Sequence, residues 1–419
     1  MINPFTPSDI ASLPEDFFGR DKEISQLARA INQGSVCIEG SFGIGKSSFL
    51  SRTLLHMDGF ASNENSIYLI AVGHADIETV DDAALLVLEK LASFDRAESK
   101  VVIGIPKIIS YESTEAYSFF QEGRHLAALS KIISDQVFKL QLAQADKLII
   151  AIDECEKCAP AIARLMRTLG TEVQLQGIKN LRFLLAGVSP FYQDMAATDR
   201  GVTRFIYKSI NLEPLDKDSA LALLDEKFKA VLSSAESEGE VLKINPDVID
   251  RIAEISGGHP HLLQLLGSHV VEHEYADPDG CIDTKDLADS LRTICYESRG
   301  RDYDLLIHTM KNDSVFSDYS ILVELAGGKF PSKIDQTKAH ELIELSSISW
   351  LLSRNIINMC DDKNYSLVDE FLRIRVIMDV EEANVDDIEA ALIESGEIPM
   401  PGQMFESFYE NTGRVDDDY

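Results

Sequence analysis

Gly40-Ser41-Phe42-Gly43-Ile44-Gly45-Lys46-Ser47 is the stretch that decides the fold. It satisfies GxxxxGK[ST] in full, directly after the apolar run Ser35 to Ile38 and directly before a helical pattern, Ser47 to Leu55. Glycines let the main chain curl until its amides converge, and the first turn of the following helix adds its positive dipole end at the same point. Such a loop holds phosphates. The amides from Ser41 to Ser48, those of Phe42, Ile44 and Ser48 included, surround the phosphate oxygens. Lys46 reaches the β- and γ-phosphates as a point charge, and Ser47 offers its hydroxyl to Mg²⁺.

The cation needs a carboxylate across from the loop, at the end of another buried strand. Leu148-Ile149-Ile150-Ala151-Ile152-Asp153-Glu154 supplies it: Asp153 is expected in the Mg²⁺ shell and Glu154 as the general base that polarises the attacking water. The plainer alternative makes both carboxylates first-turn charges of the next helix. A third strand, Leu181 to Ala186, runs into Gly187-Val188-Ser189. Ser189 is the first polar side chain there that can meet the γ-phosphate or its water, although a serine before Pro190 also suits a simple turn. Arg200 and Arg204 follow, and either can serve as an arginine finger on a neighbouring subunit's nucleotide, Arg204 being preferred; both also fit ordinary surface positions.

Working outward, strand-like runs at Ser35 to Ile38, Ile67 to Val72, Lys147 to Ile152, Leu181 to Ala186 and Phe205 to Leu212 alternate with amphipathic helices. The helices are expected near Asp21 to Ile31, Ser47 to Leu55, Asp81 to Ser93, Arg124 to Gln144 and Pro160 to Leu169. This alternation predicts an α/β fold, a P-loop core with a mainly parallel sheet. The run Val101 to Ile109 has no place in that order and reads as an insertion. From Pro214 the pattern turns helical (Asp216 to Val231, Pro246 to Ile255, Pro260 to Val271), a small lid with a polar loop at Ser233 to Glu240. Farther on, Ile356 to Met359, a turn at Asp361 to Asn364 and Tyr365 to Val368 follow the helical run around Ile348-Ser349-Trp350-Leu351-Leu352, as in a winged helix or in a generic helix-and-hairpin packing domain. The expected organisation is an N-terminal extension (1–14), the ATPase core (15–213), the lid (214–280), the winged-helix-like domain (281–380) and an acidic tail (381–419).

A net charge of −31 repels phosphate backbones, so DNA is possible only through a local basic patch. In the winged-helix-like domain Asp361, Asp362, Asp369, Glu370 and Asp379 offset Arg354, Lys363, Arg373 and Arg375, which favours a protein contact. Between Glu381 and Asp418 twelve acidic residues face a single arginine, Arg414, a bias suited to a solvated or partner-binding tail. With no spanning-length apolar run and no signal-like start, cytoplasmic residence away from membranes is expected. Six scattered cysteines fit reduced thiols; Cys155 and Cys158 form a CxxC pair without the two further ligands zinc requires.

Phe18-Gly19-Arg20 with Glu23, Asp153-Glu154, Glu213-Pro214-Leu215 and Ser256-Gly257-Gly258-His259-Pro260 together resemble the AAA+-related ATPases of the initiator (origin-recognition-like) and STAND type, over about Glu15 to Val380. The resemblance implies ATP as the nucleotide, with Phe18, Gly19 and Arg20 beside the adenine and Pro260 bringing the lid to it. Many relatives carry an arginine after that proline; here it is His261, mostly neutral at pH 7. The sensor asparagine of the family is replaced by Ser189. The implied activity is an ATP-hydrolysing switch acting on a partner protein or a homo-oligomer, with prokaryotic defence or stress signalling as one setting and a DNA-associated initiator or transposition regulator as the alternative.

Overall fold

The computed structural model describes residues 2–11, 16–55, 67–95, 100–103, 113–135, 139, 147–188, 190–298, 300–312, 319–326, 333–353, 356–360, 363–367 and 370–380. Two compact units divide the chain: one is Ile10–Glu213, and the other joins Met1–Asp9 to Pro214–Tyr419.

In the first unit, strands β1 (Ser35–Gly40), β2 (Ile67–Val72), β5 (Leu148–Asp153), β6 (Leu181–Val188) and β7 (Ile206–Asn211) form one sheet in the order β2-β5-β6-β1-β7. All of its pairings are parallel. Parallel strands are joined by crossovers that cover both faces, so the central β1, β5 and β6 are mostly buried in both directions, while the edge strands β2 and β7 keep exposed positions. The two faces separate by alternation along each strand. Val36, Ile38, Ile149, Ala151, Leu184 and Ala186 pack with Leu27 and Ile31 of α1 (Asp21–Gln33) and Phe49, Leu50 and Leu54 of α2 (Lys46–Leu55). Cys37, Leu148, Ile150, Ile152, Phe183 and Leu185 point the other way, toward α3 (Val80–Leu91), α4 (Thr114–Gln121), α5 (His125–Ser134) and α6 (Ala159–Leu175). Helix α7 (Phe191–Thr198) follows β6, and Phe191 and Met195 seat it in this second core.

Two expectations in this unit change. The insertion is a small antiparallel pair, β3 (Ala92–Asp95) with β4 (Lys100–Ile103), so Val101 to Ile103 pair with β3 and residues 104–109 lie outside the described ones. Of the helix expected from Arg124 to Gln144, α5 covers His125 to Ser134 and Asp135 leaves the helical region at φ −59° and ψ 142°; Lys139 is helical again, and residues 136–138 and 140–144 lie outside the described ones.

The second unit opens with a helical bundle: α8 (Lys217–Ser237), α9 (Pro246–Ser256), α10 (Pro260–Ala276) and α11 (Thr284–Arg292), with β8 (Lys243–Ile244) and β9 (Cys281–Ile282) paired between them. The loop expected at Ser233 to Glu240 is helical as far as Ser237, since Ala235, one turn past Val231, is buried with it. The N-terminal extension is not a free tail. Ile2 donates its amide to Ser234 Oγ (2.8 Å), Asn3 Nδ2 to Ser268 Oγ (3.0 Å) and Thr6 its amide to Gln264 Oε1 (3.1 Å). Phe5 is 4% exposed, edge-on to Phe228 at 5.1 Å, and lies so close to Gly267 that a Cβ there would be 2.3 Å from its ring.

Beyond α11 come α12 (Gly300–Asn312), α13 (Ser320–Ala326), β10 (Lys333–Asp335), α14 (Gln336–Leu342), α15 (Leu345–Ser353), β11 (Ile357–Met359), β12 (Asn364–Leu367) and α16 (Glu370–Val380). The three strands make an antiparallel sheet in the order β10-β12-β11. Residues 361 and 362 of the expected turn and the acidic tail from 381 lie outside the described residues.

Candidate functional site

The glycine-rich loop leaves β1 at Gly40 and enters α2 at Lys46. Gly43 and Gly45 stand at φ 74° and 94°, left-handed values that side chains with a Cβ avoid. Gly40 is needed for space: a Cβ there would lie 2.8 Å from Ile44 Cγ2 and 3.0 Å from the Leu212 carbonyl. Ile44 is buried, which pins the middle of the loop, whereas Phe42 at its tip is 66% exposed. Lys46 Nζ donates to the carbonyls of Gly40 (3.1 Å) and Ser41 (2.8 Å). Burial lowers the pKa of this ammonium, and the carboxylates of Glu156, Asp153 and Glu154 act against that shift.

Asp153, 8% exposed at the end of β5, accepts Ser47 Oγ on Oδ2 at 2.5 Å and the Glu154 amide on Oδ1 at 2.9 Å. Residues 106 apart in sequence thus meet as one hydroxyl and one carboxylate, the hard oxygen donors that Mg²⁺ prefers. The remaining ligands of such an ion come from phosphate and water, and among the described residues no group of three or more His, Cys, Asp or Glu side chains forms a metal site. The residues present therefore fit a Mg²⁺–nucleotide, with Ser47 and Asp153 as the protein's share.

Glu154 has φ 54°, one of three non-glycine residues with positive φ among those described; Arg20 (φ 72°) is another. Both flank the loop. The Glu154 carboxylate is paired with Lys157 Nζ at 2.5 Å and is 42% exposed. Arg20, buried, donates from Nη2 to the Ile44 carbonyl (3.3 Å) and faces Glu23 at 3.7 Å, so it braces the phosphate loop from behind. Phe18 and Gly19 precede it, half-buried. Ser48 Oγ accepts the Ala11 amide at 3.0 Å.

Ser189 lies outside the described residues. Arg200 and Arg204 are exposed on a short 3-10 turn just ahead of β7, and the Arg204 guanidinium bonds Thr171 Oγ1 (2.7 Å) and stacks on Phe205 at 4.7 Å. Because β7 runs parallel to β1, with Ile206 opposite Ser35, this turn sits at the sheet end opposite the phosphate loop, about 20 Å away. Neither arginine joins the site of its own chain. In the other unit, Gly258 (φ 74°) accepts the Leu215 amide at 2.8 Å, and a Cβ on it would stand 2.1 Å from the Leu215 carbonyl oxygen. The motifs around Leu215 and Pro260 are thus one packing unit; Pro260 opens α10, and the His261 Nδ1 atom lies 3.0 Å from the Pro7 carbonyl.

Two acidic residues at the sheet's carboxyl edge escaped the motif reading. Glu39 accepts the Tyr192 amide (3.2 Å) and Ser209 Oγ (2.7 Å), and Glu156 accepts the Val188 amide on Oε2 (2.9 Å). Glu39 stands directly before the first glycine of the loop, a position the motif leaves unspecified; Glu156 had only its closeness to Asp153 as a signal. Cys155 and Cys158 are buried free thiols whose pKa values burial pushes up, that of Cys158 to about 11. Among the described residues no helix is long and apolar enough to cross a membrane.

Comparison with curated proteins yields no match. Among solved structures, a Walker-type ATPase of Pyrococcus abyssi aligns with TM-score 0.58 at 17% identity, over 89% of this chain and 99% of that one. The ORC2 protein of Aeropyrum pernix, in ADPNP–ADP complexes, aligns with TM-score 0.54 at 15% identity, over 94% of this chain and 98% of that one. These likenesses establish the fold. The profile of the family named novel STAND NTPase 1 matches residues 3–286, well over half of the chain and all of the phosphate site. The chain belongs to the novel STAND NTPase 1 family.

Proposed function

We propose that this protein is a Mg²⁺-dependent ATP-binding and ATP-hydrolysing switch whose nucleotide state regulates or assembles a partner protein complex in the cytoplasm. One observation carries the reading: Ser47 Oγ and Asp153 Oδ2 meet at 2.5 Å near the Lys46 ammonium, so cation-holding and phosphate-holding groups lie together at the carboxyl ends of parallel strands. ATP rather than another triphosphate is the choice in keeping with the nucleotide in the Aeropyrum pernix structure. Lys46 and the loop amides bind the phosphates, Ser47 and Asp153 hold the cation, and Glu154 polarises the attacking water once it exchanges Lys157 for that water. Arg204 or Arg200 acts across a subunit boundary, in keeping with its distance from its own chain's loop. The test is calorimetry on the full chain: Lys46→Ala abolishes ATP binding, whereas Glu154→Gln keeps binding and loses turnover. Lys46→Ala protein that bound ATP as tightly as the parent would end this reading.

A DNA-associated ATPase is the second reading, and one observation favours it. The order α13–β10–α14–α15–β11–β12 with its three-stranded antiparallel sheet is in keeping with a winged helix, a module that can enter a groove. The net charge of −31 weighs against it. Duplex binding at about 50 mM salt with a steep salt dependence supports this reading, and no binding there removes it.

A further inference from the structure

Strands β5 and β6 pair from Leu148↔Leu181 to Ile152↔Leu185 and then part, while β6 continues beside β1 for three more residues, to Gly40↔Val188. The last residue of β6 therefore stands next to the first glycine of the phosphate loop, beyond the point where β5 and β6 part. Past Ile152 no ladder holds this end of β6 from the β5 side. Glu156 supplies a tie in its place: its Oε2 accepts the Val188 amide at 2.9 Å. Gly187 leaves the room for it, since a Cβ there would lie 2.9 Å from that same oxygen. The neighbouring carboxylates are engaged elsewhere, Asp153 on Ser47 and Glu154 on Lys157.

We propose that Glu156 is a positioning residue for hydrolysis: by hydrogen bonding the Val188 amide it holds the end of β6 from the β5 side, where β5–β6 pairing has stopped, and so fixes the strand end beside the phosphate loop. It works through the Val188 main chain and has no contact with nucleotide assigned to it. The inference rests on the hydrolysis reading above and adds a residue to it. What matters is the reach of an acceptor oxygen, and charge is secondary. A displacement of about 1 Å at a reacting centre can cost on the order of 100-fold in rate, so loss of the tie appears in turnover before it appears in binding.

Two conservative variants of the full chain separate reach from charge. Glu156→Gln keeps an acceptor at the same distance and drops the charge; Glu156→Asp keeps the charge and falls short by about 1.5 Å, one bond length. ATP affinity is measured by calorimetry and turnover by phosphate release. Expected for Glu156→Asp is a fall in kcat of about 10- to 100-fold, while Glu156→Gln stays within about threefold of the parent and ATP affinity changes by less than about threefold in both. Undiminished turnover in Glu156→Asp, turnover lost in Glu156→Gln, or affinity weakening in step with kcat overturns the proposal. A parent protein that binds ATP without turning it over also overturns it, leaving the binding reading intact; a parent that binds no ATP removes both.

Discussion

Replacing Asp153 by asparagine tests the cation half of the site with little disturbance of its shape. The asparagine oxygen can still accept the Glu154 amide, and its Nδ2 can donate to Ser47 Oγ, so both contacts of the carboxylate survive as neutral ones. A hydrogen bond to a charged group contributes roughly 1.5–3 kcal/mol and a neutral one about 0.5–1.5, so the unliganded protein should lose about 1 kcal/mol for each contact, about 2 kcal/mol together. The cation contact weakens by a similar margin, about 1.4 kcal/mol or tenfold in Mg·ATP affinity. With ATP at 100 times the parent's Kd, bound ligand stabilises the parent by about 2.7 kcal/mol and the variant by about 1.4. In a unit the size of Ile10–Glu213, each kcal/mol moves Tm by about 2–4 °C, which gives shifts of about 5–11 °C and 3–6 °C. Melting curves with ATP plus Mg²⁺, and with ATP plus a chelator, isolate the cation's share. If the Mg²⁺-dependent increment were the same in the variant as in the parent, Asp153 would not hold the cation and the site would have to be redrawn.

Gly258→Ala forces a left-handed residue to carry a Cβ 2.1 Å from the Leu215 carbonyl oxygen. The backbone penalty of about 1–2 kcal/mol and the weakened Leu215–Gly258 hydrogen bond, about 0.5–1.5, sum to roughly 1.5–3.5 kcal/mol of lost stability in urea unfolding; a loss below about 0.5 would contradict the packing described. Asp286, at the first turn of α11, has its carboxyl pushed from 3.8 up to about 6, mainly by burial. Since the folded state keeps a proton that the unfolded chain releases between those values, this group makes stability fall as pH rises from 3.8 to about 6, and the loss is complete above that window. Asp286→Asn keeps an acceptor for the Asp283 amide, so its Tm should fall less steeply than the parent's across the same window, and equal slopes would refute the assignment.

The phosphate loop was readable because its chemistry is local: eight consecutive residues specify the curl, the lysine and the hydroxyl. The central parallel strands were readable for a related reason, since burial on both faces leaves runs such as Leu148 to Ile152 apolar without a break. Contacts made at a distance left no such trace. Nothing in the neighbourhood of Arg20 says that its guanidinium will reach the Ile44 carbonyl, and Glu156 meets Val188 only because two strands part above Leu185. The misplaced loop at Ser233 to Glu240 shows the converse limit, because serine and glutamate read as loop residues until Ala235 finds a partner in the core. The tie between Leu215 and Gly258 likewise joins two motifs that look independent along the chain.

The clasp of the first residues over the helical bundle bears on how the molecule can be trimmed. Phe5 fills a berth whose floor is Gly267, and cutting the chain at the edge of the phosphate-binding unit would leave that berth open to water. Vacating a buried phenylalanine typically forfeits about 3–5 kcal/mol, a large part of what a domain has to spare. The portion that looks most dispensable, a nine-residue leader ahead of the nucleotide unit, is therefore a keystone of the other half, and a truncation meant to leave that half intact must keep it.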